Sequence, residues 1–416
     1  MQSKSIADIS IRVSSGITPL RSKPEFWREG SIPWLKTEQI GEKYIYDTHE
    51  KISVSALKKT TIKLYPPNTL SIAMYGEGKT RGNLSIIKSE MATNQACCNV
   101  EIDPEKANYE YVYYFLKTQY KELRRLSSGV RKNLNTSDIK NFSVRLPSTI
   151  EQQDKIAALL SGLDKKIELN NQINSELEAM TKLIYDYWFL QFDFPDNHGK
   201  PYKSSGGMMQ YNEILKREIP ERWNVTNLKK NSLSEIIIPK VYEFDGKKIY
   251  LSTSDVQENN INFKAKNVTF SHRPSRANMQ PVNNSVWFAK MKNTKKVLYV
   301  GDYSKEFIDN LILSTGFAGL KCRKNSLEYV WGSINNNRFE FIKDKLCSST
   351  TQEAINNNTM VLIPFLEPTK EVLDKYHASV KNIYMKIYNN QVENMYLSNL
   401  IEWLLPMLMN GQVKIK

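Results

Sequence analysis

The chain has 416 residues, which is too long for one ordinary domain and suits two or three. Hydrophobic residues make up 40% of it and aromatic residues 11%, enough for real cores, which excludes a wholly disordered chain. The formal net charge of +14 indicates a polyanionic partner, because lysine and arginine displace the counterions condensed on nucleic acids. From charge alone, a basic protein without such a partner stays the alternative.

The cysteines and the lengths of the apolar runs indicate in which cellular compartment the protein is expected. The four cysteines have neither zinc-ligand spacing nor the pattern of a disulfide framework, so we predict reduced thiols and no metal site. The N-terminal stretch "MQSKSIADIS" lacks the apolar core of a signal peptide. No apolar run approaches the roughly 18 residues of a membrane span. The sequence therefore predicts a soluble, cytoplasmic protein.

Residues 1–148 have the pattern of a mixed α/β domain. β-rich runs such as "IPWL", "TLSIAMY" and "NFSVRL" alternate with turns that contain glycine, proline and asparagine. Apolar and aromatic residues at helical spacing predict one helix in "NYEYVYYFLKTQYKELRRL". The domain is expected to end at Pro147, directly after a strand.

Residues 149–192 differ in character and predict one long helix. Ser148 or Thr149 can cap its first turn. Asn170 and Asn174 interrupt its apolar stripe near the middle. The stripe itself follows a seven-residue pattern at Ile156, Leu160, Leu163, Ile167, Leu177, Ile184 and Trp188.

The second half of the chain repeats this order. Residues 193–218, which include "FPDNHGKPYKSSGG", are predicted to be a flexible linker. Short strands and turns follow in residues 219–366, and residues 367–416 contain a second long helix that Asn390 and Asn394 interrupt midway. Its heptad positions are Tyr376, Val380, Ile383, Ile387, Leu397, Ile401 and Leu404.

Local echoes between the two halves predict an internal duplication. "EYVYY" at 110–114 returns as "EYVWG" at 328–332, "SSG" at 127 as "SST" at 348, and "NNQI" at 170 as "NNQV" at 389. Each half also has a strand that is predicted to end in proline, Pro147 or Pro364, before its long helix. Two unrelated α/β domains with helices are the alternative.

Antiparallel packing of the two long helices would bring their midpoints together, with Asn170 or Asn171 facing Asn390. A buried, hydrogen-bonded layer of Asn170, Asn174, Asn390 and Asn394 would reject slipped alignments, whereas asparagines on an exposed edge would not. The predicted fold class is therefore α+β. It comprises two mixed α/β domains joined by two long helices in an antiparallel coiled coil, with a pseudo-two-fold internal repeat.

The stretch "SIAMYGEGKTRGN" at 71–83 ends like a nucleotide-binding P-loop but lacks one of its glycines. Ala73 stands where the P-loop pattern requires glycine, and the strand-like "NLSII" follows where a helix should begin. The four histidines are far apart in the sequence, and no catalytic constellation emerges. We therefore predict a non-catalytic chain without a cofactor of its own, in which this basic loop binds nucleic acid.

Loops that mix basic residues with amides occur in both halves. Lysine neutralises phosphates, while arginine and asparagine can also make paired hydrogen bonds to guanine or adenine edges. For any single residue, a solvated surface charge is the alternative. The candidates are Lys79, Arg81, Asn83, Arg131, Lys132 and Asn133 in the first half, and Arg273, Arg276, Lys292, Lys295 and Lys296 in the second.

Several segments resemble the specificity subunit of type I restriction–modification systems. "SGITPLRSKPEFWREGSIPWLKTEQI" at 15–40 is similar to the start of that family's target recognition domain, and "RLPSTIEQQDKIAALLSGLDKKIELNNQI" to its central conserved helix. "WFLQFDFP" at 188–195 and "IPERW" at 219–223 resemble its bridge into the second half. "LLPMLMNGQV" at 404–413 resembles its C-terminal ending, whereas the second half has no counterpart of "SGITP".

The resemblance implies target recognition domains at 1–148 and 219–366, a central conserved helix at 149–192 and a C-terminal one at 367–416. It implies a subunit that reads a bipartite, asymmetric target in double-stranded DNA. Two methyltransferase subunits would dock on it and methylate adenine with S-adenosylmethionine, and restriction or motor subunits would need ATP and Mg²⁺. A stand-alone regulatory or architectural DNA-binding protein is the alternative.

Overall fold

The chain forms two compact units. The computed structural model describes residues 1–76, 80–126, 133–261, 265–347, 353–413 and 415. Unit 1 comprises Met1–Ile167 and Tyr396–Lys416, and unit 2 comprises Glu168–Met395. Among the described helices, none combines the length and the apolar character that crossing a bilayer requires.

Unit 1 is built on mostly antiparallel strands covered by short helices. Its helices are α1 (Val54–Lys59), α2 (Tyr109–Thr118), α3 (Tyr120–Arg125), α4 (Thr136–Lys140), the first part of α5 (Ile150–Tyr185) and residues 396–409 of the C-terminal helix. Its strands are β1 (Gln2–Ser5), β2 (Ser10–Ser15), β3 (Ile32–Leu35), β4 (Tyr44–Ile45), β5 (Glu50–Ile52), β6 (Leu70–Ala73), β7 (Leu84–Ile87), β8 (Ala92–Thr93), β9 (Cys97–Ile102) and β10 (Ser143–Leu146). The main sheet has the order β2-β9-β6-β7-β4, and a second has the order β5-β3-β8.

Unit 2 has a similar composition of elements. Its helices are the rest of α5, then α6 (Lys305–Asn310), α7 (Leu327–Ile334), α8 (Asn337–Cys347) and most of α9 (Lys370–Met409). Its strands are β11 (Met209–Asn212), β12 (Arg217–Pro220), β13 (Asn224–Asn227), β14 (Ser234–Ile237), β15 (Lys248–Leu251), β16 (Val256–Gln257), β17 (Asn260–Ile261), β18 (Asn267–Val268), β19 (Ala277–Met279), β20 (Ser285–Ala289), β21 (Val297–Val300), β22 (Leu311–Ser314), β23 (Phe317–Cys322) and β24 (Pro364–Glu367). The two larger sheets have the orders β14-β23-β20-β21 and β18-β15-β22-β19.

The same strand connections occur in both units. In unit 1, β9 lies between β2 and β6, and β6 also pairs with β7. In unit 2, β23 lies between β14 and β20, and β20 also pairs with β21; every one of these pairs is antiparallel. The second sheet of each unit agrees as well, because β3 pairs in parallel with β8 and β15 pairs in parallel with β22. The internal repeat predicted from local sequence echoes is therefore confirmed at the level of topology.

Each unit is closed by a strand pair just before a long helix begins. In unit 1, β1 pairs with β10, so that Gln2 lies opposite Leu146. In unit 2, β13 pairs with β24, so that Asn224 lies opposite Glu367. The proline predicted at the end of the second strand is wrong: Pro364 opens β24, and Pro368 follows it.

The helix predicted in "NYEYVYYFLKTQYKELRRL" is broken in two. Asn108 caps α2 by accepting a hydrogen bond from the Tyr111 amide at 2.9 Å. At Gln119 the backbone leaves helical geometry (φ −95°, ψ 13°), which separates α2 from α3. The buried face of α2 packs in one core with β6 and β9, and Leu160 and Leu408 of the long helices join the same core.

Residues 193–218 are folded into unit 2, unlike the flexible linker predicted there. The Asp193 carboxylate accepts hydrogen bonds from the Ser204 amide and hydroxyl, both at 2.7 Å. The ring of Phe194 stacks on Tyr202 and on Trp223, with centroids 4.6 and 5.3 Å apart. The aromatic area in this segment outweighs its glycines and proline, because burying such rings stabilises an ordered conformation.

Helices α5 and α9 run antiparallel within unit 2 and meet through asparagines. Asn390 Nδ2 donates to Asn174 Oδ1 at 2.8 Å, and Asn170 Nδ2 donates to Asn394 Oδ1 at 2.9 Å. Asn394 Nδ2 donates in turn to Asn171 Oδ1 at 2.8 Å. The contact predicted between Asn390 and Asn170 or Asn171 is thus replaced by one with Asn174, a turn further along α5.

The amide layer is buried, so its hydrogen bonds contribute to the free energy of unfolding. Asn170 and Asn390 are each 1% exposed, and Asn174 and Asn394 are buried as well. A buried amide that loses its partner costs about 1–3 kcal/mol, because water no longer satisfies it. A shift of one helix along the other would break these bonds together, so the layer favours a single alignment.

We predict that Asn390→Ala lowers the free energy of unfolding by about 1–3 kcal/mol, because it leaves Asn174 Oδ1 buried without a donor. Asn389→Ala is the matched control, since Asn389 is exposed on the same turn. Urea denaturation followed by circular dichroism measures both variants. Equal losses for Asn390→Ala and Asn389→Ala would show that the amide contact contributes nothing.

Candidate nucleic-acid interface

The β6–β7 hairpin of unit 1 carries the first basic loop predicted to bind nucleic acid. The Gly82 amide donates to the Ala73 carbonyl at 2.9 Å and closes the loop on itself. Gly82 has φ +86°, and a Cβ there would lie 3.2 Å from Arg124 Cγ, so glycine fits both the backbone conformation and the close contact with α3. The end of the loop at Gly82 is therefore held against α3.

Helix α3 braces this loop with an arginine. Arg124 Nη1 donates to the Arg81 carbonyl at 3.0 Å and to the Tyr120 hydroxyl at 2.9 Å. The second predicted loop arrives at the same place, because the Leu134 amide donates to the Met74 carbonyl at 3.1 Å. Two loops that are far apart in sequence thus meet at one end of unit 1.

The equivalent hairpin of unit 2, between β20 and β21, is also joined by a second loop. The Lys292 amide donates to the Glu353 carbonyl, and the Ile355 amide donates to the Lys290 carbonyl, both at 3.0 Å. Residue 353 follows the end of α8 in the chain, as residue 133 follows the end of α3. Within each unit, therefore, the hairpin loop is paired with a second loop at the matching position of the topology.

A buried lysine braces the hairpin loop of unit 2. Lys343 of α8 is 0% exposed, and its Nζ donates to the Thr294 carbonyl at 2.8 Å and the Ala289 carbonyl at 3.3 Å. Glu340 Oε2 lies 2.6 Å from the same Nζ and balances its charge. Burial raises the pKa of Glu340, while the bond to Lys343 opposes that rise. Lys343 can therefore fix the loop backbone without contributing to its surface charge.

The segment 271–280 approaches the same hairpin from another strand. The Thr315 amide donates to the Arg276 carbonyl at 2.9 Å, and the Lys290 amide donates to the Gly316 carbonyl at 3.0 Å. These two bonds join β19, β22 and the β20–β21 loop at one end of unit 2. Arg276 is exposed there, and its side chain is available to a ligand.

Two other predicted residues of unit 2 have structural contacts. Arg273 donates to the carbonyls of Ala277 at 3.1 Å and Phe270 at 2.5 Å, and its guanidinium lies 4.2 Å from the centroid of the Phe270 ring. Lys296 Nζ donates to the Thr253 carbonyl. Both side chains hold neighbouring backbone in place, which leaves them fewer donors for DNA than a free arginine or lysine would have.

The remaining predicted residues fall into two groups. Arg81, Asn83 and Asn133 are half-buried on the paired loops of unit 1, and Lys292 and Lys295 are half-buried on the hairpin loop of unit 2. Lys79, Arg131 and Lys132 lie outside the described residues. Within the described part of the chain, no three His, Cys, Asp or Glu side chains are grouped as a metal site would require.

Comparison with known proteins identifies relatives along the whole chain. Residues 1–179 match the family model described as the type I restriction modification DNA specificity domain. The chain is 26% identical to the type I restriction enzyme MjaIX specificity subunit of Methanocaldococcus jannaschii, over 99% of this chain and 93% of that one. It is 22% identical to the HindI specificity subunit of Haemophilus influenzae, over 71% and 74% of the two chains.

A solved structure shares the fold. The S subunit of a type I restriction–modification system from M. genitalium aligns over 98% of this chain and 95% of its own, with a TM-score of 0.56 and 15% sequence identity. At that identity the likeness concerns the fold alone. With 98% of the chain covered, the alignment spans both units and both long helices.

We predict that Lys343→Met lowers the free energy of unfolding by about 3–5 kcal/mol, because it leaves the Glu340 carboxylate buried without its cation. The matched control is Lys345→Met on the same helix, where the side chain is exposed and the change should stay within about 0.5 kcal/mol. Urea denaturation gives both values. Adding Glu340→Gln to Lys343→Met should recover part of the loss, and no recovery would contradict the charge argument.

Proposed function

Since the chain is a DNA target-specifying subunit of the type I restriction–modification class, we propose that each of its units reads one half of a bipartite, asymmetric target. The chain is the non-catalytic, DNA-recognising member of such a system. The observation that carries the proposal is the repeated sheet, which ends in each unit in a basic hairpin loop fixed from behind by a helix cation.

The difference in side chains between the hairpin loops of the two units supports an asymmetric target. The loop of unit 1 offers an arginine and an asparagine, Arg81 and Asn83, which suit paired hydrogen bonds to base edges in the major groove. The loop of unit 2 offers lysines, Lys292 and Lys295, which suit phosphate contacts and single hydrogen bonds. Two units that share a sheet topology but differ in their loop side chains should read different half-sites.

The two long helices are proposed to set the unread gap between the half-sites. Helix α5 has 36 residues and α9 has 40, which correspond to about 54 and 60 Å at 1.5 Å per residue. Two half-sites one turn apart on B-form DNA have centres about 34–36 Å apart. The antiparallel pairing through the amide layer supports a spacer of fixed length.

Partner subunits are proposed to cover the helices. On α5, Leu169, Met180 and Leu183 are half or more exposed, and on α9 Trp403 is 59% exposed. Apolar side chains of this size on a helix surface favour a protein partner over a stand-alone DNA-binding protein. We propose two methyltransferase subunits there, and restriction subunits in the full complex. S-adenosylmethionine, ATP and Mg²⁺ would belong to those partners.

Co-expression with the cognate methyltransferase subunit, followed by sequencing for modified bases, tests the proposal directly. Methylated adenine should appear in a two-part motif whose halves differ and whose intervening bases vary. A single continuous motif would contradict the two-reader arrangement. The unmodified host strain without this chain is the control.

We predict that one heptad added to each long helix, after Glu176 in α5 and before Tyr388 in α9, lengthens the gap by about three base pairs. Seven residues add about 10.5 Å, and base pairs are about 3.4 Å apart. Motif analysis after co-expression gives the gap. Both half-sites should stay unchanged, and altered half-sites would mean that the helices take part in reading.

We predict that Arg81→Ala weakens binding by about 1–3 kcal/mol and relaxes the first half-site only, whereas Arg276→Ala affects the second half-site. Arg145→Ala is the matched control, because Arg145 is exposed on β10, away from both loops. Fluorescence anisotropy with duplexes altered in one half-site at a time measures the effect. A loss that is equal for every duplex would assign these arginines to phosphates.

A further inference from the structure

Unit 2 contains a cavity of about 630 Å³ beside the last turns of α5. Its walls come mainly from α5, β12, β24 and the adjoining parts of α7 and α8, and Glu258, Asn259 and Lys295 complete the lining. Tyr185, Phe189, Tyr329 and Phe365 form an aromatic wall on one side. Cavities of about 300–1,000 Å³ with a mostly apolar lining and a few polar groups are typical of small-molecule sites.

Arg217 of β12 lines this cavity without a described acceptor. Its Nε is buried and makes no hydrogen bond within the described residues. Its guanidinium lies 4.6 Å from the centroid of the Phe192 ring, and no described carboxylate forms an ion pair with it. Arg217 as a whole is half-buried, and a buried guanidinium Nε without an acceptor calls for a ligand or another explanation.

A second arginine faces the same space. Arg338 lies in the first turn of α8, lines the cavity and makes no hydrogen bond or ion pair with a described residue. Burial and the charge of Arg338 together lower the pKa of Arg217. The N-terminal end of α8, which carries the positive end of the helix dipole, is on this side as well. The arrangement is therefore electropositive.

The carboxylates that line the cavity have other partners. Asp186 forms an ion pair with Lys182. Burial raises the pKa of Glu178, and its bond to Asn259 opposes that rise while the charge of Glu258 adds to it. Glu258 is the third carboxylate that lines the cavity. No described carboxylate forms an ion pair with Arg217 or Arg338, which leaves both guanidinium groups open to an outside anion.

We propose that this cavity binds a small organic anion, with its oxyanion between Arg217 and Arg338 and its planar apolar body against Tyr185 and Tyr329. Guanidinium groups suit carboxylates and phosphates alike because they donate two parallel hydrogen bonds. Tyrosine faces suit a planar body. Lys295 of the β20–β21 hairpin loop also lines the cavity, but the proposed anion site does not depend on the DNA target proposed above.

Isothermal titration calorimetry of the full chain tests the proposal with phenyl phosphate, benzoate, inorganic phosphate and benzyl alcohol. Phenyl phosphate or benzoate should bind, and whichever binds more tightly identifies the preferred oxyanion. Inorganic phosphate should bind more weakly because it lacks the aromatic ring. The neutral benzyl alcohol should not bind. Arg217→Gln and Arg338→Gln should each weaken binding of the aromatic anion by roughly tenfold or more. Because Arg338 is exposed, its variant should fold normally even if Arg217→Gln does not.

Arg222→Gln is the matched control, since Arg222 is exposed in unit 2 and does not line the cavity. It should bind the aromatic anion as the parent chain does, and all variants should keep their affinity for DNA. Two results would overturn the proposal. One is equal weakening in the control, which indicates adsorption to a basic surface. The other is a lack of binding by every anion at millimolar concentration.

Discussion

Unit 2 depends on the amide layer between its two long helices. Apolar seams alone permit helices to slide past each other by a heptad, because the contacts before and after the shift are alike. Asn174 and Asn390 remove that freedom, since each would lose its partner inside a buried layer. The aromatic residues further along, such as Tyr185 and Tyr376, can then pack at short range because the helix ends are already aligned.

Each unit supports its basic hairpin loop with a cation from a helix, and the cation differs between the two units. The like charges of a basic loop repel each other, so the loop needs support from outside itself. Unit 1 supplies Arg124, which contacts a loop carbonyl from a half-exposed helix face, and unit 2 supplies Lys343, which is fully buried. In both cases the supporting cation binds backbone carbonyls. The support therefore does not depend on which side chains the loop carries.

The sequence predicts the elements with strong periodicity and fails where long-range packing decides. Heptad spacing predicted both long helices, and local echoes predicted the repeat. The flexible linker was wrong because glycine and proline are local signals, whereas Phe194 and Trp223 are distant in sequence and stack only in the fold. Lys343 was missed for a similar reason: on an amphipathic helix a lysine is expected in solvent, and the carbonyls that bury it belong to a hairpin about 50 residues earlier.

The strand pairs β1–β10 and β13–β24 place the start and the end of each strand-rich segment side by side. A domain whose entry and exit points are adjacent can be exchanged for another without moving the flanking helix. Recombination between genes would therefore exchange such a segment intact. If each unit reads one half-site, as proposed above, new target sequences would arise in single steps by combination of existing halves.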